Sequence, residues 1–149
     1  MTNIIFLYYE NLTFLQNIVM ENKLFKWKDD FTLNNRLLDS QHEKFVAIVN
    51  ELSMAIDSQC SADIHHVFYL LINYVEDYLI ETNIKLLECN NVKYAKLKEK
   101  QTQLLDKVKD FYGKFNFEKA TCLGLYNFLI EWFLDYIAMY KKEGYASCL

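Results

Sequence analysis

Residues 27–52 read WKDDFTLNNRLLDSQHEKFVAIVNEL, a pattern that predicts an arm followed by a helix. Its first part has no helical period and contains the pair Asn34-Asn35, so we expect an arm over 21–38. Residues 40–43 (Ser-Gln-His-Glu) have the pattern of a capping box, in which a serine hydroxyl and a glutamate satisfy free amides at a helix start. Apolar residues then recur every three or four positions, which predicts a helix over about 40–57. Its predicted inward face consists of His42, Phe45, Val49, Leu52 and Ile56.

Three further stretches have the same period and predict helices over about 62–88, 93–113 and 117–142. Polar residues over 58–63, the pair Asn90-Asn91 and residues 113–116 separate the helices, and Gly144 is expected to end the last one. Because short loops make consecutive helices antiparallel neighbours, we predict an all-α, up-down-up-down antiparallel four-helix bundle with an N-terminal arm. The residues predicted to face inward are Val67, Leu71, Tyr74, Tyr78, Thr82 and Leu86, then Leu97, Gln101, Leu104, Val108 and Phe111, and finally Leu125, Leu129, Trp132, Tyr136 and Tyr140.

The composition is that of one helical domain. The chain has 149 residues, no proline and three glycines, which suits long helices. We predict an N-terminal extension over 1–24 and a single bundle domain over 25–149. The formal net charge is −4 and no basic stripe occurs, so no nucleic-acid partner is expected.

The N-terminal residues are apolar in patches. They lack a basic start and Glu10 interrupts them, so we expect neither a signal peptide nor a membrane span. Two interpretations stay open: Met20 is the true start, or the segment is an amphipathic extension packed on the bundle.

Four cysteines occur far apart, and they form no Cys-x-x-Cys pair. This spacing predicts neither a zinc site nor a disulfide framework. We therefore expect free thiols in a reducing cytoplasm. The four residues are Cys60, Cys89, Cys122 and Cys148.

The chain resembles the hemerythrin family over Trp27 to about Tyr145. The resemblance rests on Trp27 at the family's usual distance from His42, on Asp39 and Gln41, on Tyr74, and on the run from Phe128 to Phe133. It implies a four-helix bundle whose interior holds two irons and binds oxygen. In that family five histidines and two bridging carboxylates hold the metals, because a buried pair of cations needs nitrogen ligands and anionic bridges in place of water.

Most of the ligands that the resemblance implies are missing. Carried over position by position, the second-helix ligands fall on Tyr78 and Thr82, the third-helix ligands on Leu97 and Gln101, and the fourth-helix ligands on Tyr136 and Lys141. Among the ligand positions that the resemblance implies, His42 alone has the family's residue type. A register one residue away would offer Asp77 and Glu81, but it would turn Leu71 and Tyr74 outward. We therefore expect no cofactor, and a remnant site around His42 lined by those six residues.

The expected function follows from this loss. His42 is predicted to be a buried histidine with locally satisfied hydrogen bonds, and Tyr78 and Tyr136 to fill the core with hydroxyls paired to Gln101, Thr82 or His42. No nucleophile-and-base set and no glycine-rich loop occurs, so the protein is not expected to be an enzyme. We expect a cytoplasmic structural, interaction or sensory protein that has lost iron and oxygen binding, with an unknown protein partner or self-association. The alternative is an iron-binding hemerythrin that carries or senses oxygen.

Overall fold

The computed structural model describes residues 24–59, 61–114 and 118–149. Within these ranges the chain forms four helices and no strand, so the predicted all-α class with four helices is confirmed. The helices are α1 (Arg36–Ser58), a second helix made of α2 (Ser61–Asn73), a π turn (Tyr74–Tyr78) and α3 (Ile80–Cys89), then α4 (Asn91–Gly113) and α5 (Lys119–Glu143). Short 3-10 turns lie at Asp29–Phe31 and Tyr145–Cys148. The predicted extension over 1–24, with Met20, falls outside the described residues except for Leu24.

Helix α1 begins one turn earlier than the sequence pattern predicts. The cap is Asn35, whose side-chain oxygen accepts a hydrogen bond from the backbone N–H of Leu38 at 3.1 Å. The preceding Asn34 has a φ of 53°, a left-handed conformation that asparagine tolerates. The predicted capping box at Ser40 is therefore wrong, because Asn35, an equally good N-cap residue, lies five residues before Ser40.

The predicted arm is tied to α1 by two polar side chains. The Asp39 carboxylate accepts hydrogen bonds from the backbone N–H of Leu33 and from the hydroxyl of Thr32, both at 2.8 Å. Asn50 forms a reciprocal pair with the backbone of Phe25, at 2.8 and 3.0 Å. These bonds position the arm so that its aromatic side chains pack on the core.

The helices share one hydrophobic core. Helix α1 packs against α2 and α5, α4 packs against α3 and α5, and α2 also contacts α4. Phe45 of α1 stacks on Phe133 of α5 with ring centroids 5.5 Å apart. Every residue predicted to face inward on α1 and α5 is buried, which confirms the helical period read from the sequence for these two helices.

The second helix contains an irregular turn that the sequence pattern does not reveal. The backbone N–H of Leu79 bonds to the carbonyl of Tyr74, five residues earlier, at 3.2 Å. The extra residue rotates the rest of the helix, so that Leu79 is 1% exposed and Tyr78 is 43% exposed. The inward position predicted for Tyr78 is therefore wrong. Asp77 and Glu81 are exposed and Leu71 and Tyr74 are buried, in agreement with the rejection of the register that would turn the two carboxylates inward.

The C-terminal residues fold back across the end of the helices. Gly144 ends α5 with a φ of 65°, as predicted, and the turn Tyr145–Cys148 follows. Cys148 forms a disulfide with Cys89, the last residue of α3. The expectation of free thiols is wrong for this pair, because folding brings together two cysteines 59 residues apart. Cys122 is a free, buried thiol, and Cys60 lies outside the described residues.

Helix α5 is long and apolar enough to cross a membrane by length and composition alone. Core helices of soluble proteins satisfy the same criterion, and 44% of its most apolar window is buried inside the protein. The absence of a membrane span stays a prediction.

Candidate functional site

His42 lies in the interior against a row of aromatic rings. Its side chain is 1% exposed. The imidazole meets the rings of Phe133, Tyr136 and Tyr140 edge-on, with centroids 6.1, 5.7 and 5.0 Å away. These three residues recur at intervals of three and four on α5, so they present one face to α1. The helical period of α5 therefore builds the aromatic wall of the site.

Burial keeps His42 neutral at pH 7. Removal from water lowers the pKa of His42 from 6.5 to about 4, and the nearby Asp39 carboxylate opposes this shift only in part. Among the described residues Nδ1 of His42 has no hydrogen-bond partner. The expectation that its hydrogen bonds are satisfied locally is wrong for this atom.

An amide network forms the second part of the site. Gln101 of α4 and Asn83 of α3 exchange two hydrogen bonds: Asn83 Nδ2 donates to Gln101 Oε1 at 2.7 Å, and Gln101 Nε2 donates to Asn83 Oδ1 at 2.9 Å. Gln101 Nε2 also donates to the Tyr136 hydroxyl at 2.8 Å. The predicted pairing of Tyr136 with Gln101 is thus confirmed, and the network joins three helices.

The tyrosines of the site keep their protons. Burial raises the pKa of Tyr136 to about 12, although hydrogen bonds with Gln101 and Tyr140 act in the opposite direction. Burial also raises the pKa of Tyr140 well above its usual value. A neutral phenol is a poor ligand for a metal cation, which needs anionic oxygen to replace its water.

Polar atoms also face the interior near the start of α1. The Tyr74 hydroxyl donates to the backbone carbonyl of Gln41 at 3.0 Å, and Gln41 Nε2 donates to the carbonyl of Tyr78 at 3.4 Å. Gln41 Oε1 and the buried Thr82 hydroxyl have no partner among the described residues. The interior is therefore polar in places, and none of the buried side chains that the structure describes is an ionised one.

The structure brings together only part of the predicted remnant site. Tyr136 contacts His42, and Gln101 reaches it through Tyr136. Thr82 and Leu97 are buried in the same interior.

Two predicted lining residues lie elsewhere. Tyr78 lies at a surface groove of about 360 Å³ beside Lys44 and Asp77. Lys141 is exposed, and its ammonium group donates to the carbonyl of Asp30 in the arm. Both predictions are wrong: the π turn rotates Tyr78 outward, and the long lysine side chain reaches a backbone acceptor outside the interior.

Two residues of the site were not assigned to it from the sequence. Tyr140 was expected on the inward face of its helix but not beside His42. Asn83 faces the interior because the π turn shifts the register of α3. The inward amide of Gln101 is the sequence feature that indicates a polar partner of this kind.

The side chains around His42 do not fit a pair of iron ions. Within 24–59, 61–114 and 118–149, no cluster of three or more His, Cys, Asp and Glu side chains occurs. His65 and His66 lie exposed on α2. A buried metal pair requires bridging carboxylates, whereas the buried side chains in the described part of the chain offer hydroxyl, amide, imidazole and hydrocarbon groups.

Comparison with family models, with curated proteins and with solved structures finds no match to this chain.

Proposed function

We propose that this protein is a hemerythrin-like, up-down-up-down four-helix bundle that has lost iron and oxygen binding. It acts as a non-catalytic structural, interaction or sensory protein. The observation that carries the proposal is the neutral interior around His42, where the contacts are three aromatic rings and an amide network.

The arm supports the family part of the proposal. Trp27, Asp39 and His42 occur at the spacing that the resemblance rests on. The Asp39 carboxylate fixes the arm against α1, and Trp27 packs edge-on against Phe31 with centroids 5.6 Å apart. Asp39 and Trp27 therefore have a structural role that does not depend on iron.

Electrostatics supports the loss of iron. The idealised cost of moving one singly charged ion from water into a dry interior is on the order of 20 kcal/mol. Anionic ligands offset that cost in a metal site, whereas the interior here offers one neutral imidazole and protonated phenols. The amides of Gln101 and Asn83 are already bonded to each other, so they gain nothing by turning to a cation.

An exposed apolar stripe supports the interaction role. Ile80, Ile84 and Leu87 lie at intervals of four and three on α3 and are 47%, 52% and 44% exposed. Apolar side chains in a contiguous exposed row are typical of surfaces that bind other proteins.

Anaerobic addition of ferrous iron followed by air tests the proposal. We expect no peroxide-to-iron absorption band, and the same spectrum from the His42→Ala variant, because His42 is the only family ligand present. A visible band that needs His42 and disappears on removal of oxygen contradicts the proposal and favours the iron-binding alternative.

A further inference from the structure

The C-terminal turn covers the end of the interior at which His42 lies. Tyr145 is fully buried, and its hydroxyl donates to the carbonyl of Lys93 at the start of α4, at 3.1 Å. Its ring lies 5.0 Å from that of Tyr140, which lies 5.0 Å from the imidazole of His42. Tyr145 therefore closes a continuous row of rings that leads from the end of the helices to His42.

Apart from the disulfide, the turn is held to the helices by Tyr145, through its buried ring and its hydroxyl bond to Lys93. Within it, Ser147 bonds to the carbonyl of Gly144 through its amide at 3.3 Å and through its hydroxyl at 2.8 Å. The turn is a 3-10 helix of four residues, a length with no independent stability. Gly144, with a φ of 65°, gives the chain the left-handed conformation needed to fold back.

The disulfide that holds the turn is open to reagents. Cys89 is exposed and Cys148 is half-buried. Exposed disulfides exchange with thiols more readily than buried ones, since the attacking thiolate must reach a sulfur atom. The bond joins the last residue of α3 to the turn and so crosses the end of the helices.

We propose that the Cys89–Cys148 disulfide is a redox-controlled latch, whose reduction by a dithiol releases the C-terminal turn and uncovers the interior around Tyr140 and His42. One thiolate of the dithiol attacks a sulfur of the disulfide, and a mixed disulfide forms. The second thiol then displaces the protein sulfur. Two electrons pass to the protein, Cys89 and Cys148 each take up a proton to become thiols, and the reagent becomes a disulfide.

The proposal requires a local opening, which distinguishes it from ordinary disulfide stabilisation. The helices keep their shared core when the turn leaves, because the stacked pair Phe45 and Phe133 and the network around Gln101 lie outside it. After reduction only the ring packing of Tyr145 and its bond to Lys93 oppose release of the turn, so the burial of Tyr145 becomes reversible and the row of rings opens to water.

Hydrogen exchange on the full chain tests the latch. Oxidised protein is compared with protein reduced by dithiothreitol, and the Cys89→Ser/Cys148→Ser double variant is measured with and without the reagent. We expect amide exchange over 144–149 to rise about tenfold or more on reduction, with faster exchange of the ring-carbon hydrogen of His42 and unchanged exchange in the middle of α1 and α4. The double variant should match the reduced protein and show no response to dithiothreitol.

Three results overturn the proposal. The first is unchanged exchange over 144–149 after reduction is verified by mass. The second is an equal rise across all helices, which indicates loss of global stability in place of a local opening. The third is peptide mapping that finds Cys89 and Cys148 unlinked in protein folded under oxidising conditions.

Discussion

A single buried imidazole makes this fold sensitive to acid. The pKa of His42 is lowered to about 4 in the folded protein, against 6.5 for the free side chain, so between these values the unfolded chain binds the proton more tightly. The stabilising effect of the neutral ring is complete above about pH 6.5 and is lost as the pH falls towards 4. The groups that face it, the phenols of Tyr136 and Tyr140, stay neutral throughout, and the Asp39 carboxylate moderates the effect.

Urea unfolding at pH 7 and pH 4.5 measures this effect. We predict that His42 accounts for a loss of about 2 to 3 kcal/mol in the free energy of unfolding over this interval. In the His42→Leu variant, the free energy of unfolding should fall less between pH 7 and pH 4.5, because the contribution of His42 is absent. The control is His66→Gln, at an exposed histidine, and its free energy of unfolding should fall over this interval as much as that of the wild type. A His42→Leu variant with the same pH dependence as the wild type would show that His42 is not buried as a neutral ring.

The Thr82 hydroxyl is a second polar atom whose burial weakens the fold. The side chain is 1% exposed and its oxygen has no partner among the described residues. A buried unsatisfied hydroxyl costs about 1 to 3 kcal/mol, whereas valine has nearly the same shape without it. We predict that Thr82→Val raises the free energy of unfolding by about 1 kcal/mol.

The exposed Thr102 on α4 offers a matched control for this substitution. Thr102→Val should change the free energy of unfolding by less than about 0.5 kcal/mol in the same urea titration. A Thr82→Val variant that is less stable than the wild type would mean that the hydroxyl has a hydrogen-bond partner.

At the scale of the helix, the π turn determines which side chains of α3 enter the core. Tyr74 and Leu79 are both buried although they are five residues apart, a spacing that an ordinary α-helix cannot place on one side. Removing one exposed residue of the turn shortens this spacing to four. We predict that deletion of Asp77 changes the free energy of unfolding by no more than about 1 kcal/mol, since an ordinary turn then presents the same buried residues.

Deletion of Glu81, which is also exposed, is the matched control. It lies in regular helix, so its loss rotates the following residues by about 100° and turns Asn83 and Leu86 out of the core. Circular dichroism with thermal unfolding should show a loss of several kcal/mol for this variant. Equal damage from the two deletions would contradict the role given to the π turn.

The helices themselves could be predicted from the sequence because their apolar period is regular. The inward residues of α1 and α5 are buried as predicted, and the Gln101–Tyr136 pair follows from two inward positions on facing helices. The start of α1 could not be predicted, since Asn35 and Ser40 are both good caps and only the contacts of the arm decide between them.

The rest of the site depends on features that a regular period cannot encode. A π turn differs from an α turn by one residue, and nothing in the local composition marks it. A regular helical period therefore places Tyr78 inside and gives no interior position to Asn83. The disulfide depends on a turn after Gly144 that brings Cys148 to α3, a long-range contact without a spacing rule.

At the scale of the whole molecule, the described interior is filled by neutral side chains, and the N-terminal arm and the C-terminal turn are each fixed to the helices by a separate set of bonds. The Asp39 carboxylate fixes the arm on one side of α1, and the disulfide fixes the C-terminal turn across the end of α3. Between the arm and the turn, core packing and the amide network of Gln101, Asn83 and Tyr136 join the helices.

Whether the interior binds iron is tested directly by the metal content of the full chain purified from cells grown with added iron. Elemental mass spectrometry gives iron per chain for the wild type and for His42→Ala. The neutral interior predicts iron far below one atom per chain and no difference between the two proteins. About two irons per wild-type chain, lost in the variant, would contradict it.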